Sequence, residues 1–441
     1  MRRATTLLCA AALACAVAVA PVGVRTAAGK PPPGACRNPE PARPRVRELP
    51  WAQQYLDPQR AWRVSTGAGV TVAVVDSGVD ADHEQLRRPG KVSRGRDFFL
   101  VGTLPGNYDC VSHGTAVASI IAADRRSGVG FAGIAPGARI LPVRISDREV
   151  TDDGDTRAID PRVLARGIRY AADGGAKVIN LSMSGLRDHA EVREAIRYAQ
   201  SKDALVVAAV GNAQQDDAAD LPSYPAAYEG VLGVGAIDIA GARSNGSQVG
   251  NYVDLVAPGA GVLGATRVAG HAYFTGTSFA TAFVSGTAAL VRAAWPSLDA
   301  RQTAQRLLAT ATPARGGPGS MAYGAGVVDP YRAVAEGMGG ERRALPDAVR
   351  PTPDPAHVAE LAWWQYASRR AHMIGMVIVG GTAVLLVLGA AILLGRRRRW
   401  QPARTSLTRS SSLARSSSRR DNQLAPDRLF DMAKTPGPDS R

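Results

Sequence analysis

At 441 residues with 45% hydrophobic content, the chain can hold one large domain with appendages, or two domains, around a sizeable core. The formal net charge is +15, but twelve Lys and Arg against four Asp fall in residues 396–441, and Arg2 and Arg3 add two more. The middle of the chain is only mildly basic, which excludes a nucleic-acid-binding face on the folded part.

In chain order, the segment Met1 to Ala28 opens with Arg2 and Arg3, followed by an apolar run from Leu7 to Ala20 and small residues at Thr26-Ala27-Ala28. That is the pattern of a cleaved signal peptide. Residues 29–61 are proline-rich, with prolines at 31, 32, 33, 39, 41, 44 and 50, and read as an extended arm without helical or strand period. Outside the leader only Cys36 and Cys110 remain. In an exported protein an isolated pair is most simply one disulfide, which would staple the arm beside His113.

Between residues 62 and 338 short apolar runs alternate with helical patterns. Strands are expected at Val70–Val75, Ile140–Val143, Lys177–Leu181, Leu205–Val210, Val231–Ala236 and Val253–Val256. Helices are expected at His113–Ala122, Arg162–Ala172, Ala190–Gln200, Ser278–Ala294 and Ala300–Ala309. Nearly continuous apolar strands separated by helices imply an α/β fold, a doubly wound parallel sheet with helices on both faces. Residues 339–372, with prolines at 346, 351, 353 and 355, read as a stiff linker. Met373–Leu394 is twenty-two residues without a charge, against the roughly 20 that cross a bilayer. Trp363, Trp364 and Tyr366 precede it and four arginines follow, so it reads as a single transmembrane helix with its C-terminus in the cytoplasm. Residues 395–441, basic and serine-rich, read as a disordered tail.

Chemistry concentrates in four windows. Val72-Ala73-Val74-Val75-Asp76-Ser77-Gly78 ends an apolar strand in a carboxylate, where active sites of open α/β sheets gather. Ser112-His113-Gly114-Thr115 opens a helix with an imidazole, and Gly276-Thr277-Ser278-Phe279-Ala280 opens another with a hydroxyl. Taken singly, Asp76 could be a turn residue, His113 a helix-start histidine and Ser278 an N-cap. Taken together they supply a nucleophile, the base that activates it and the carboxylate that orients the base. Ala208-Ala209-Val210-Gly211-Asn212 adds an amide donor which, with the Ser278 backbone N–H, could hold a tetrahedral oxyanion. Ala280, Ala282 and Gly286 would let the helix after Ser278 approach the core closely.

The order Asp, His, Ser is that of subtilisin, and over residues 62–335 the four windows resemble the subtilase family of serine proteases. The resemblance implies a subtilisin-like fold, Asp76, His113 and Ser278 as catalytic triad and Asn212 in the oxyanion hole. It also implies that Leu181, Ser182, Met183, Ser184 and Gly185 form the edge along which a substrate peptide pairs. The acid-active sedolisins have Asp where Asn212 stands, and this chain does not fit them. Leader, arm, paired cysteines, C-terminal span and basic tail together look like mycosins, membrane-anchored subtilases of type VII secretion systems. That likeness implies an arm that wraps the catalytic domain and an association with secretion-channel components. Ile145–Asp160 and the region before His113 are shorter than the loops of many mycosins. Asp152-Asp153-Gly154-Asp155 lacks the spaced oxygen ligands of a calcium loop, so neither metal nor cofactor is expected. The function that follows is an extracytoplasmic endopeptidase acting on exported protein or peptide substrates. The alternatives are a structural stabiliser of the secretion membrane complex and a general surface protease.

Overall fold

The computed structural model describes residues 35–36, 41–100, 103–147, 159–214, 221–315, 317 and 319–337, with helical positions at 370, 376, 380–381, 388–393 and 396–397. The chain divides into two units, Met1–Pro346 and Asp347–Arg441. The first opens with two short helices, α1 (Trp51–Leu56) and α2 (Pro58–Ala61). Then come β1 (Thr71–Asp76), β2 (Arg96–Asp97), α3 (His113–Ala122), β3 (Arg139–Arg144), α4 (Pro161–Asp173), β4 (Val178–Leu181) and α5 (Ala190–Ser201). β5 (Leu205–Ala209), β6 (Val231–Ile237), β7 (Leu255–Pro258), β8 (Val262–Ala265), β9 (His271–Phe274), α6 (Thr277–Ala294), α7 (Ala300–Ala309) and α8 (Pro330–Ala335) complete it.

Seven strands form one sheet in the order β2-β3-β1-β4-β5-β6-β7, with every pairing parallel. All residues of β4 to β7 are buried, because helices cover both faces and no strand has a wet side that would require alternation. α3 and α6 pack together on one face; α4 and α5 pack together on the other. α6 is buried from Thr277 through Arg292 and runs against β4, β5, β6 and β7. It comes this close because its residues are small: a Cβ on Gly286 would lie 2.8 Å from the Ile134 Cβ. The antiparallel pair β8–β9 stands apart from the main sheet and packs on α3.

The arm is extended only in part. Residues 41–50 have no regular structure, but 51–61 are helical, contrary to the sequence reading. The prolines mislead there: Pro50 is an N-cap and Pro58 a first-turn residue, positions where a missing N–H costs nothing. Ala52, Leu56 and Ala61 are buried in the core. The Trp51 indole N–H donates to the Gly261 carbonyl at 2.9 Å. Ahead of these helices Arg43 and Pro44 lie against the turn between β8 and β9. The Arg43 N–H donates to the Ala269 carbonyl at 2.9 Å, and the Pro44 carbonyl accepts from the His271 N–H at 3.1 Å. Residues 41–61 are therefore part of the folded body.

Cys36 and Cys110 are joined in a disulfide across 74 positions of sequence, as the cysteine count implied. The leader, Asp152-Asp153-Gly154-Asp155 and the tail beyond Arg397 lie outside the described residues, as does most of Met373–Leu394. Among the described residues no helix is long and apolar enough to cross a membrane. Closing a loop of this size restricts the unfolded chain by ~4 kcal/mol in the chain-entropy model. A Cys36→Ser, Cys110→Ser double variant should therefore lose up to ~4 kcal/mol of unfolding free energy and unfold at a lower denaturant concentration than the wild type. An unchanged midpoint would contradict a stapled arm.

Candidate active site

From β1 the chain crosses to β2 and β3 on one side of it, then returns to β4 on the other, so the direction of winding reverses beside β1. Crevices at the carboxyl ends of strands around such a reversal are where open α/β sheets bind ligands. Asp76 ends β1, Ser182 follows β4, and Asn212 follows β5. The starts of α3 and α6 bring His113 and Ser278 to the same edge.

His113 Nδ1 lies 2.7 Å from Asp76 Oδ1. The side chain of Asp76 is 4% exposed and that of His113 14%, so the bond is largely screened from water. The Ser77 N–H donates to the same Oδ1 at 2.7 Å. The His113–Asp76 bond fixes the tautomer: a carboxylate only accepts, so Nδ1 carries the proton and Nε2 is the basic nitrogen. Burial disfavours the charged imidazole, but the Asp76 charge, its hydrogen bond and the Asp109 charge outweigh burial and raise the His113 pKa above 6.5. Phe279 packs on the imidazole with ring centroids 5.2 Å apart.

Glycines make the approach of strand and helix possible. A Cβ on Gly114 would lie 2.1 Å from the Gly78 carbonyl oxygen and 3.2 Å from Asp76 Oδ1. Gly78 itself has φ +103°, a region L-residues rarely adopt.

Ser278 lies in the first turn of α6, where helix N–H groups favour negative charge. Its hydroxyl donates to the Ser182 carbonyl at 3.1 Å, while the Ser182 hydroxyl donates back to the Ser278 carbonyl at 2.9 Å. Behind this pair, the Asn180 amide donates to Ser182 Oγ at 2.8 Å and accepts from the Ser285 hydroxyl at 2.8 Å. The chain Ser285–Asn180–Ser182–Ser278 thus pins the start of α6 to the end of β4. Sequence reading missed Asn180, a lone polar residue in an apolar strand. The Thr277 N–H donates to Asn212 Oδ1 at 2.9 Å. That bond assigns the amide, leaving Nδ2 on an exposed side chain as a donor for a ligand.

The Leu181–Gly185 segment divides on inspection. Leu181 pairs with Val75 and Ala208 inside the sheet and is fully buried. Gly185 exchanges backbone bonds of 2.7 and 2.8 Å with Tyr224. The backbones of Met183 and Ser184 bond no other described residue, so the open edge is shorter than the sequence suggested. Beside it opens a pocket of about 350 Å³ lined by Ile159, Leu164, Met183, Val192 and Tyr228. Among the described residues no group of His, Cys, Asp and Glu could hold a metal ion.

Residues 67–326 match the model of the subtilase family, Peptidase S8. The chain belongs to the subtilase family and is a serine endopeptidase of the subtilisin type. Within that family it is similar to mycosins over most of its length. It is 33% identical to mycosin-1 of Mycolicibacterium smegmatis over 399 residues, covering 80% of this chain and 86% of that protein. It is 38% identical to thermitase of Thermoactinomyces vulgaris over 241 residues, 55% of this chain and 81% of that one. The crystal structure of MycP1 from Mycobacterium smegmatis superposes with TM-score 0.57 at 32% identity, covering 72% of this chain and 92% of the other.

The raised His113 pKa sets the direction of a pH profile. An imidazole must be neutral to accept a proton, so kcat/KM should fall on the acid side with an apparent pKa above 6.5. Asp76→Asn, which removes the largest favourable charge, should move that limb downward. A wild-type limb well below 6.5 would contradict the described coupling.

Proposed function

We propose that Asp76, His113 and Ser278 act as a catalytic triad, with Asn212 and the Ser278 backbone N–H as oxyanion donors, in an endopeptidase held at the outer face of the cytoplasmic membrane. His113 Nε2 takes the Ser278 proton as Oγ attacks the scissile carbonyl, and Asp76 stabilises the resulting imidazolium. The tetrahedral oxyanion is met by Asn212 Nδ2 and the Ser278 N–H at the start of α6. Collapse with protonation of the leaving amine by His113 gives an acyl-enzyme, which water hydrolyses through the same base. The observation carrying this reading is the buried 2.7 Å bond from His113 to Asp76 at the winding reversal, on the edge where Ser278 opens α6. For the reaction the Ser278 hydroxyl must leave the Ser182 carbonyl it now bonds and turn to the imidazole.

Substrates are exported polypeptides in extended form. Their backbone pairs with Met183 and Ser184, and an apolar side chain enters the pocket lined by Ile159, Leu164 and Val192. Anchoring is supported by the uncharged run Met373–Leu394 with its aromatic and arginine flanks. Met376, Leu388, Ile392 and Leu393 are helical and exposed, as lipid-facing residues would be. Association with a type VII secretion system is supported by the likeness to mycosins, and MycP1 is described as part of the ESX-1 type VII secretion system.

Ser278→Ala in the full chain should fold as the wild type does and lose hydrolysis of an unfolded protein substrate. Retained hydrolysis would overturn the triad. Asn212→Ala should lower kcat by about 10²–10³ with little change in KM, the cost of losing one oxyanion donor. A change confined to KM would contradict the oxyanion role.

A further inference from the structure

Asp109 is fully buried four residues before His113, and nothing in the triad mechanism uses it. Its Oδ1 accepts the Ser77 hydroxyl at 3.0 Å and the Val111 N–H at 3.0 Å. Its Oδ2 accepts the Thr115 N–H at 2.9 Å and the Thr115 hydroxyl at 2.7 Å. Four donated bonds of this kind suit a carboxylate that has no proton to give. Ser77, 1% exposed, is the hinge of the arrangement. Its backbone N–H holds Asp76 Oδ1, while its hydroxyl donates to Asp109 and accepts the Gly114 N–H at 2.9 Å. Ser77 and Gly114 are the immediate neighbours of Asp76 and His113. One carboxylate therefore clamps the end of β1 to the first turn of α3, across the gap that the Asp76–His113 bond must span.

Among the described residues the bonds to Asp76 all fall on Oδ1, from the Ser77 N–H and the imidazole, and none falls on its buried Oδ2. The backbone that Asp109 ties down therefore holds in place both ends of the Asp76–His113 bond. We propose that Asp109, acting through Ser77 and Thr115, is a positioning residue for the Asp76–His113 pair and a second negative charge that favours the imidazolium formed in the reaction. This inference rests on the triad reading above.

The charges that act on His113 come from two carboxylates. Asp76 on β1 and Asp109 both favour protonation of the imidazole. Asp80 takes the Val268 N–H and stands beside Thr115 through its own backbone, and Arg267 bonds the Cys110 carbonyl at 3.2 Å. From α6 the imidazole meets Phe279, which carries no charge. Burial pushes the Asp109 carboxyl up, against the hydrogen bonds it accepts from Val111 and Thr115.

Asp109→Asn keeps the shape but presents an amide edge to donors on one side of the clamp, and it removes the charge. Ser77→Ala keeps the charge and removes the bridge. The test is Ser278-dependent hydrolysis of a p-nitrophenyl ester by the full chain across pH. A misplacement of this order costs up to about 10²-fold, so each variant should lose about 10- to 100-fold in kcat with KM within about twofold. The acid limb should move down in Asp109→Asn and stay near its wild-type position in Ser77→Ala. Wild-type kcat in either variant, or an unmoved acid limb in Asp109→Asn, overturns the proposal; so does a loss seen only as lower thermal stability. If Asp109→Asn does not fold, Ser77→Ala decides the question through its kcat. A wild type without Ser278-dependent hydrolysis would instead strike the triad reading itself.

Discussion

The hydrogen bond between Asp76 and His113 joins two elements separated by 37 residues, and most of what surrounds it exists to let them meet. A strand end and a helix start can come this close only if nothing protrudes between them. Gly78 and Gly114 meet that condition; any Cβ at 114 would strike the Gly78 carbonyl. Burial of the pair has two effects. It strengthens the bond by excluding water, and it penalises the charged imidazole, a penalty the two nearby carboxylates outweigh. A base with its pKa displaced upward by its neighbours is what a proton-transfer site of this kind requires.

A second constraint comes from α6. A helix buried from Thr277 to Arg292 can traverse the core only with small residues and with its polar groups satisfied. Ser285 and Ser278 bond to Asn180 and Ser182, and Asn212 caps the Thr277 N–H. The same contacts that satisfy the helix place the Ser278 hydroxyl, so stability and geometry of the candidate site are not separable. Near His113 the Cys36–Cys110 disulfide and the β8–β9 turn, bonded by Arg43 and Pro44, lend further support. The Ser112 hydroxyl accepts the Arg267 N–H at 2.8 Å, and the arm bonds the residues just beyond.

Sequence reading recovered the parallel strands other than β2 and the helices α3 to α7 within a few residues, since the strands are unbroken apolar runs and the helices carry their own period. It lost elements whose signals are brief or inverted. β2 is two residues long, and α1, α2 and α8 begin beside a proline that looks like a breaker. The β8–β9 hairpin was missed because its turn carries Val268 at φ +73°, not a glycine pair. Of the site, the residues within dense motifs were legible. Asn180, Ser77 and Asp109 were not, because their roles depend on partners tens of residues away that only folding brings together. Leu181 shows the opposite error: a motif's boundary drawn by resemblance ran one residue into the sheet.

At the centre of this account is a Ser278 hydroxyl made reactive by His113 and open to a substrate. Treating the full wild-type chain with a fluorophosphonate probe and mapping the adduct by mass spectrometry tests that claim directly. The account predicts a single adduct on Ser278 that disappears in His113→Ala. A folded chain that remains unlabelled, or labels at another serine, would contradict it.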